Sequence, residues 1–297
     1  MSFIIGIDSG GTHIVGQAFD KQGEVAAEAY GGVGNILLNP QETIADLRDV
    51  LNQLFHKLLP DNCDYILIGI AGVETTGNSE NIAQEIGAEF GTKTYVISDA
   101  QLALLNGLKG HDGTLIIAGT GSVIYGRQQR QLIRCGGWGN LLGDTGSAYK
   151  ITEQAMRIIL QHHDLGKESN LLPTILISLN AADVKQAVRN YYSTSRKDIA
   201  AIAEEIAAAS EHGIQDATDA LSLQAEALAT EALGLFDRYE QPIPKKIALS
   251  GSVLVHNAFY RQTLVNRLRQ VYPDISAFVV QTNNARGAIF WSRWQTK

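Results

Sequence analysis

Two apolar runs in this chain each lead into a glycine-rich turn that carries a hydroxyl side chain. The run Ile4–Asp8 is followed by Ser9–Thr12, and the run Leu115–Ala118 is followed by Gly119–Ser122. The backbone N–H groups of such turns, together with a neighbouring hydroxyl, can surround a phosphate group. A strand followed by two glycines can also be an ordinary hairpin. Because the pattern occurs twice, it favours two turns that bind one polyphosphate.

Three carboxylates stand where elements begin or end, or in a glycine-dense loop. Asp8 closes the first apolar run, Asp99 opens a predicted helix, and Asp144 shares a glycine-dense segment with Trp138. From spacing alone, Asp99 is a helix N-cap, and Asp8 is a strand-end carboxylate that accepts bonds from turn N–H groups. Trp138 has glycine on both sides, which favours a loop site over the core position that is more usual for tryptophan.

The elements that must position these residues follow from the hydrophobic periodicity. In the first part of the chain we predict three hairpin strands, followed by two strands that alternate with helices. One helix should begin at Pro40, with Asn39 as its N-cap and Glu42 completing a capping box. The predicted strands are 4–8, 14–19, 24–30, 65–70 and 94–98, and the other helices are 79–90 and 99–108.

The second part of the chain repeats this beginning and then becomes helical. Strands are predicted at 115–118, 123–127, 132–135, 245–249 and 277–280. Helices are predicted at 199–210, 217–236 and 257–271 and from residue 284 onward, with Gly213 ending the first of them. Strands that alternate with helices predict an α/β fold in which helices cover mixed sheets.

The composition is that of a globular protein large enough for two domains. The chain has 297 residues, of which 45% are hydrophobic and 19% charged, and its net charge is -7. The negative charge argues against nucleic acid or an anionic membrane as a partner, and no apolar run is long enough to span a bilayer. Cys63 and Cys135 fit reduced thiols, and no basic leader is recognised, so we expect a cytoplasmic protein.

The ordered set of motifs resembles the N-acetylglucosamine kinase family, which belongs to the actin, heat-shock-ATPase and sugar-kinase superfamily and its BadF/BadG-type ATPase group. The most specific part is Gly-Gly-Trp-Gly at 136–139 and Gly-Asp-Thr-Gly-Ser at 143–147, placed after Gly-Thr-Gly-Ser at 119–122. The match runs nearly end to end, and its other residues are Asp8–Thr12, Asn35, Asp99-Ala100 and Gly251-Ser252.

The resemblance implies a particular domain organisation. Its α/β fold would have two ribonuclease-H-like lobes, as in actin-like ATPases, with ATP and sugar in the cleft between them and a helical insertion in the second lobe. The N-terminal lobe would comprise residues 1–112, joined by a C-terminal helix at about 284–297, and the C-terminal lobe would comprise 113–283. The long Ala-rich helices of the second lobe could carry the contact of a homodimer.

The resemblance also implies a role for each motif residue. Asp99 would be the general base that accepts the proton of the sugar 6-hydroxyl, and Asp8 would hold Mg²⁺ through water. The residues implied to bind ATP are Gly10, Gly11, Thr12, Gly119, Thr120, Gly121, Ser122, Gly251 and Ser252. The residues implied to bind the sugar are Asn35, Gly72, Trp138, Gly139 and Asp144.

The implied activity is the ATP-dependent phosphorylation of the 6-hydroxyl of N-acetylglucosamine or a related amino sugar. Glucosamine, N-acetylmannosamine or N-acetylmuramate as substrate, or a non-catalytic regulator of the same fold that binds nucleotide or sugar, are the alternatives. A Walker motif and the cysteine patterns of zinc and iron–sulfur relatives are absent from the sequence. One departure is His13, where the family usually has Lys or Arg; it either faces the phosphates or points outward from a strand.

Overall fold

The alternating residues at the N-terminus form three antiparallel strands, and two parallel strands extend the same sheet. The computed structural model describes residues 2–11 and 13–295, so Thr12 lies outside the described residues. The strand order is β3-β2-β1-β4-β5. These strands are β1 (Phe3–Ser9), β2 (Ile14–Phe19), β3 (Val25–Gly31), β4 (Cys63–Ile70) and β5 (Thr94–Ser98).

Helices connect the parallel strands of this sheet, as such crossovers require. They are α1 (Pro40–Lys57), α2 (Val73–Thr76), α3 (Ser79–Phe90) and α4 (Asp99–Leu108), with a 3-10 turn at Pro60–Asn62. On α1 the residues Leu47, Leu51 and Leu54 are fully buried, because their spacing places them on one face toward the sheet.

Two predicted helix caps differ from the structure. Asn39 stands at the N-cap position of α1 as predicted, but its side chain makes no cap hydrogen bond, so the predicted capping box with Glu42 does not form. Pro40 at the first helical position is not the cause, because a cap side chain accepts from the N–H of the second or third helical residue. Helix α4 is capped by Ser98 and not by Asp99: Ser98 Oγ accepts a bond from the Gln101 N–H at 3.2 Å, and Gln101 Oε1 accepts one from the Ser98 N–H at 3.1 Å. Asp99 is therefore the first residue of the helix, outside the capping box.

A second sheet contains the strands of the sequence repeat. Its order is β10-β9-β6-β7-β8, so read from the other edge it has the same connectivity as the first sheet. The strands are β6 (Gly113–Ala118), β7 (Ser122–Gln128), β8 (Gln131–Gly136), β9 (Lys246–Ser250) and β10 (Ser276–Val279). The predicted α/β fold with two related sheets is confirmed.

The helices associated with the second sheet are more numerous and form a large apolar core. They are α5 (Ala148–Asp164), α6 (Leu172–Ser178), α7 (Val184–Ser193), α8 (Arg196–Glu211), α9 (Gln215–Phe236), α10 (Ser252–His256) and α11 (Ala258–Val271). On α9, Ala225, Leu228 and Ala232 are fully buried, and a buried Leu contributes about 1.5–3 kcal/mol. The Ala-rich face of α9 thus packs within this core and lends no support to the expected dimer contact.

The chain divides into two compact units that follow the two sheets. The first contains Met1–Asp112, Gln129–Gln131 and Val280–Lys297, and the second contains Gly113–Gln128 and Leu132–Val279. In the first unit, a C-terminal 3-10 helix (Asn284–Phe290) and α-helix (Trp291–Gln295) pack on α4 and β1. Among the described residues, no helix is both long and apolar enough to cross a membrane.

Candidate active site

Polar residues of the first unit gather at one edge of its sheet. Because β1, β4 and β5 are mutually parallel, their carboxyl ends lie at the same edge. Asp8 is the last but one residue of β1, Gly72 follows β4, and Asp99 follows β5 directly. Ligands of open α/β sheets bind outside the carboxyl ends of the strands, so this edge is the candidate site of the first unit.

The Asp8 carboxyl is mostly buried, and its charged form is disfavoured. Burial is the main cause that raises the pKa of Asp8 to about 6, and the negative charge of Asp99 raises it further. Two groups act in the opposite direction: the Asn284 side-chain amide donates a hydrogen bond to Asp8 Oδ2 at 3.2 Å, and His13 lowers the pKa through its charge. A cation bound here would relieve the unfavourable charge.

The Asp99 carboxyl lies at the start of α4. Burial raises its pKa and the charge of Glu74 on α2 adds to the effect, whereas hydrogen bonds from the backbone N–H groups of Ala100 and Asp99 lower it. The bond from Ala100 N to Asp99 Oδ1 measures 2.9 Å. Because burial outweighs these bonds, the pKa shift makes Asp99 a better proton acceptor than an exposed aspartate.

The predicted sugar residues of the first unit lie next to each other at this edge. A β-bridge pairs Asn35 with Ala71, the residue before Gly72. The Gly34 N–H donates to the Gly10 carbonyl at 2.9 Å, which attaches the segment that carries Asn35 to the end of β1. Tertiary pairing, and not sequence proximity, thus places Asn35 beside the predicted phosphate turn.

In the second unit, the turn between β6 and β7 is closed by its own hydrogen bonds. The Gly119 N–H donates to the Gly121 carbonyl at 2.9 Å, and Ser122 Oγ donates to the Thr145 carbonyl at 2.7 Å. Ser122 is buried, whereas Thr120 is exposed. The Ser122 hydroxyl therefore attaches the turn to the glycine-dense loop, residues 136–147. Thr120 has the accessible hydroxyl of the turn.

The buried side chain of Asp144 accepts hydrogen bonds that stabilise the glycine-dense loop. Its side chain is almost entirely buried, and its backbone has a φ of 58°. Oδ1 accepts a bond from the Gly139 N–H at 3.2 Å, and Oδ2 accepts one from Arg196 Nη2 at 2.7 Å. The two predicted sugar residues Gly139 and Asp144 are thus in direct contact.

Trp138 projects from the same loop and is 69% exposed. The guanidinium of Arg134 stacks over its ring at 4.7 Å from the centroid and also donates to the carbonyls of Gly136 and Gly137. This cation–π contact orients the indole on the surface of the unit. An exposed, oriented aromatic ring is suited to contact the apolar face of a sugar.

A cavity of about 520 Å³ lies beside the turn between β6 and β7, the predicted phosphate turn of the second unit. Helices α5, α8, α9 and α10 surround it, and its lining includes Thr120, Lys197, Glu204, Ser252 and His256. A volume in this range accommodates a small-molecule ligand. The residue Gly251 precedes Ser252 with a φ of 89°, and a β-carbon there would overlap the Ala118 carbonyl.

Replacement of Gly251 by Ala should therefore destabilise the unit and disturb this cavity. Gly213 is the matched control, because it has a φ of 83° but no heavy atom within 4 Å of a β-carbon position. We expect Gly213→Ala to lower the free energy of unfolding by about 1–2 kcal/mol, the cost of a left-handed residue. Gly251→Ala should lower it by about 1–3 kcal/mol more, because of overpacking and because a φ of 89° with a ψ of 152° is nearly restricted to glycine. Urea denaturation measures both, and equal losses would contradict this account.

Four residues at these sites were missed by sequence reasoning: Glu74, Arg196, Lys197 and Asn284. Asn284 is 276 positions away from Asp8 in the chain, so no local pattern could connect them. Arg196 and Lys197 left only a weak signal, because cations in the first turn of a helix oppose the helix dipole but Asp198 in the same turn favours it.

Asp8 suits a magnesium ion of the kind that binds through few protein ligands. No cluster of three or more His, Cys, Asp or Glu residues that could hold a metal is found in residues 2–11 and 13–295. Mg²⁺ dehydrates reluctantly and often binds through one or two carboxylates, with water and substrate phosphates completing its shell. A mostly buried carboxylate at a strand end, with a raised pKa, fits that mode.

Residues 5–292 match the model of the BadF/BadG/BcrA/BcrD ATPase family, and the chain belongs to this family. The chain is 27% identical to an N-acetylmuramic acid/N-acetylglucosamine kinase of Clostridium acetobutylicum, over 99% of both chains. It is 30% identical to an N-acetyl-D-glucosamine kinase of Dictyostelium discoideum, over 59% of this chain and 60% of the relative.

Solved structures show the same fold. A candidate N-acetylglucosamine kinase from Chromobacterium violaceum superposes with a TM-score of 0.71 at 21% identity, covering 99% of both chains. At this identity the similarity establishes the architecture alone. The family and the architecture agree with the resemblance that the sequence motifs indicate.

Proposed function

We propose that this protein is an ATP-dependent amino-sugar kinase that phosphorylates the 6-hydroxyl of N-acetylglucosamine or a close relative. The observation that carries the proposal is the pair Asp8 and Asp99 at the carboxyl edge of the first sheet, in a chain of an ATPase family. The Clostridium acetobutylicum relative, similar along 99% of both chains and named as an amino-sugar kinase, supports the class of substrate.

Asp99 acts as the general base in this proposal. The sugar 6-oxygen forms a bond to the γ-phosphorus as the bond to the leaving oxygen of ADP breaks, and Asp99 accepts the hydroxyl proton. The raised pKa of its carboxyl favours that acceptance. In phosphoryl transfer the transition state is loose, so positioning of the hydroxyl contributes along with basicity. A positioned base contributes about 10² to 10⁴ in rate.

Asp8 would hold the metal through water, whereas Asp99 would act as the base. Mg²⁺, when bound with ATP, neutralises charge on the phosphates. Asn284 donates a hydrogen bond to one carboxylate oxygen of Asp8 and so orients the carboxyl. The two carboxylates have separate tasks, because the metal would favour the ionised form of Asp8 while Asp99 must be able to take up a proton.

The turns carry the phosphate contacts. Gly10 and Gly11, with Thr12 outside the described residues, form the turn of the first unit, and Gly119–Ser122 forms that of the second. In the second turn we assign direct contact to Thr120, because it is exposed, and a supporting role to Ser122. The cavity lined by Thr120 and Ser252 receives the nucleoside.

Hydroxyl recognition falls to the polar residues Asn35 and Asp144, and the loop residues Trp138 and Gly139 add contacts to the ring. A carboxylate and an amide give directional bonds to adjacent hydroxyls. The N-acetylmuramate named for the Clostridium relative is the second candidate substrate. Glucosamine and N-acetylmannosamine complete the set of substrates to compare.

Release of ADP, measured with a coupled assay over these four sugars, tests the proposal. With Mg-ATP we expect release stimulated by at least one amino sugar, and a phosphorylated product that mass spectrometry and NMR place at the 6-oxygen. The same sugar without a 6-hydroxyl is the matched control and should give no product. Stimulation by none of the four sugars would remove the kinase assignment.

A further inference from the structure

Arg196 is held at a defined place beside the phosphate turn of the second unit. It is the first residue of α8, and the preceding Ser195 caps this helix by accepting the Asp198 N–H at 3.2 Å. Its guanidinium reaches Asp144 Oδ2 at 2.7 Å while the side chain remains 46% exposed. An arginine has five N–H donors in a planar fork, so a single bond to Asp144 engages a small part of its capacity.

The turn backbone lies directly against this ion pair. A β-carbon on Gly121 would lie 2.5 Å from Arg196 Nη2 and 2.8 Å from Asp144 Oδ2. The absence of a side chain at Gly121 therefore permits the pair to approach the turn. The guanidinium is in contact with the segment that we propose binds phosphate.

The charges of the surrounding residues require a cation at this place. Asp144 is almost entirely buried, and Glu231 lies close enough that the charge of Asp144 adds to the burial that raises the Glu231 pKa. Without Arg196, a phosphate at the turn would face a buried carboxylate at short range in a medium of low dielectric constant. Arg196 cancels that charge and leaves donors for an anion.

A second cation from the start of α8 lines the neighbouring cavity. Lys197, the next residue of α8, lines the cavity of about 520 Å³ together with Thr120 of the turn. The start of α8 thus places one cation against Gly121 and a second in the lining of the cavity that Thr120 also lines. Two adjacent cations match the several negative charges of a nucleoside polyphosphate.

We propose that Arg196 binds the terminal phosphates of ATP through the donors that Asp144 does not use, and that the Asp144–Arg196 pair thereby links the glycine-dense loop to the phosphate turn. This inference rests on the proposed use of ATP but not on the identity of the sugar. Arg196 would contact ATP itself. Asp144 would act as its positioning partner, and the lone pairs that its two oxygens do not use toward Gly139 and Arg196 remain for the sugar hydroxyl proposed above.

Binding of ATP, ADP and adenosine, measured by calorimetry, tests this role. Replacement Arg196→Gln should weaken ATP binding about 10- to 100-fold, the factor of one charged hydrogen bond. Adenosine binding should change less than about twofold, because adenosine carries no phosphate. A merely structural role would weaken ATP and adenosine equally. Arg196→Lys should recover part of the ATP affinity, because it keeps the charge but lacks the fork.

A second variant separates this effect from misfolding. Arg196→Gln alone leaves the Asp144 carboxylate buried and unpaired, which can unfold the unit. The double variant Arg196→Gln/Asp144→Asn removes both charges and should recover the thermal stability of the wild type while still binding ATP about 10- to 100-fold more weakly. The matched control is Arg189→Gln on α7, an exposed arginine outside these sites, which should leave binding unchanged.

The outcomes distinguish this inference from the proposed function. If wild type, Arg196→Gln and the double variant have the same ratio of ATP affinity to adenosine affinity, Arg196 does not bind phosphate. The kinase proposal would then still stand. If Arg196→Gln weakens ATP binding as expected but the wild type phosphorylates no sugar, the kinase proposal alone is overturned. A wild type that does not bind ATP overturns both.

Discussion

Replacement of Asp99 by Asn should lower kcat by about 10²- to 10⁴-fold, the contribution of a positioned general base. The amide has nearly the same shape as the carboxylate but cannot accept the hydroxyl proton. We expect sugar affinity to change little, because the amide group can still form a hydrogen bond with a sugar hydroxyl. Steady-state kinetics give kcat, and calorimetry with the sugar alone gives its Kd.

The cap of α4 does not use the Asp99 side chain, so an effect on kcat can be separated from an effect on the helix. Ser98 and Gln101 form the capping box, so the substitution leaves the helix start in place. Asp64→Asn is the matched control, because Asp64 is an exposed carboxylate in β4, away from the carboxyl end. A kcat for Asp99→Asn within a few-fold of the Asp64→Asn value would exclude Asp99 as the base.

Replacement of Asp8 by Asn should impair the use of Mg-ATP while making the protein more stable. We expect kcat/KM for ATP to fall about 10²-fold or more, because charge stabilisation by a metal is worth several kcal/mol. Sugar affinity should change less than ATP use, because Asp8 is assigned to the metal. Titration with Mg²⁺ at fixed ATP should also require a higher concentration for half-maximal activity. A variant with unchanged Mg²⁺ dependence would remove Asp8 from the metal site.

The stability gain follows from the direction of the Asp8 pKa shift. Because folding raises this pKa from 3.8 to about 6, the folded protein binds a proton more tightly than the unfolded chain between these values. The free energy of unfolding therefore decreases as the pH rises through this window, and above about pH 6 the buried charge opposes folding in full.

Asp8→Asn removes this penalty. We expect its free energy of unfolding at pH 7.5, with EDTA present, to exceed that of the wild type by on the order of 1–3 kcal/mol. The difference should shrink toward zero near pH 4. Urea denaturation at both pH values measures it, with Asp64→Asn as the control. A destabilised Asp8→Asn variant at pH 7.5 would contradict an unfavourable charge at this position.

Sequence patterns predicted the elements of this fold closely. The intervals 14–19, 79–90, 94–98 and 99–108 coincide with β2, α3, β5 and α4. These segments have strong apolar periodicity and clear start or stop residues, so local interactions suffice to specify them. The helices α5, α6 and α7 were predicted only as one helical region from about Ser147, whereas in the structure residues 165–171 and 179–183 separate them.

Helix caps were predicted less well, because several nearby residues compete for the same N–H groups. Asp99 and Ser98 are both good caps, and local sequence does not choose between them. In the structure the hydroxyl of Ser98 is used, which leaves the carboxyl of Asp99 beside Glu74 and Asp8. Ser98 thus has the structural role of capping the helix, and Asp99 remains the candidate catalytic residue.

The sequence by itself determined two related α/β units, the ends of their strands and the residue types that stand there. Tertiary structure alone decided which of those residues meet. Asn284 reaches Asp8 from the other end of the chain, and Arg196 reaches Asp144 across 52 positions. Local periodicity predicts which face of an element is buried. It does not predict which element packs against a buried charge, because that element can come from any part of the chain. Such partners are therefore known only from the tertiary structure.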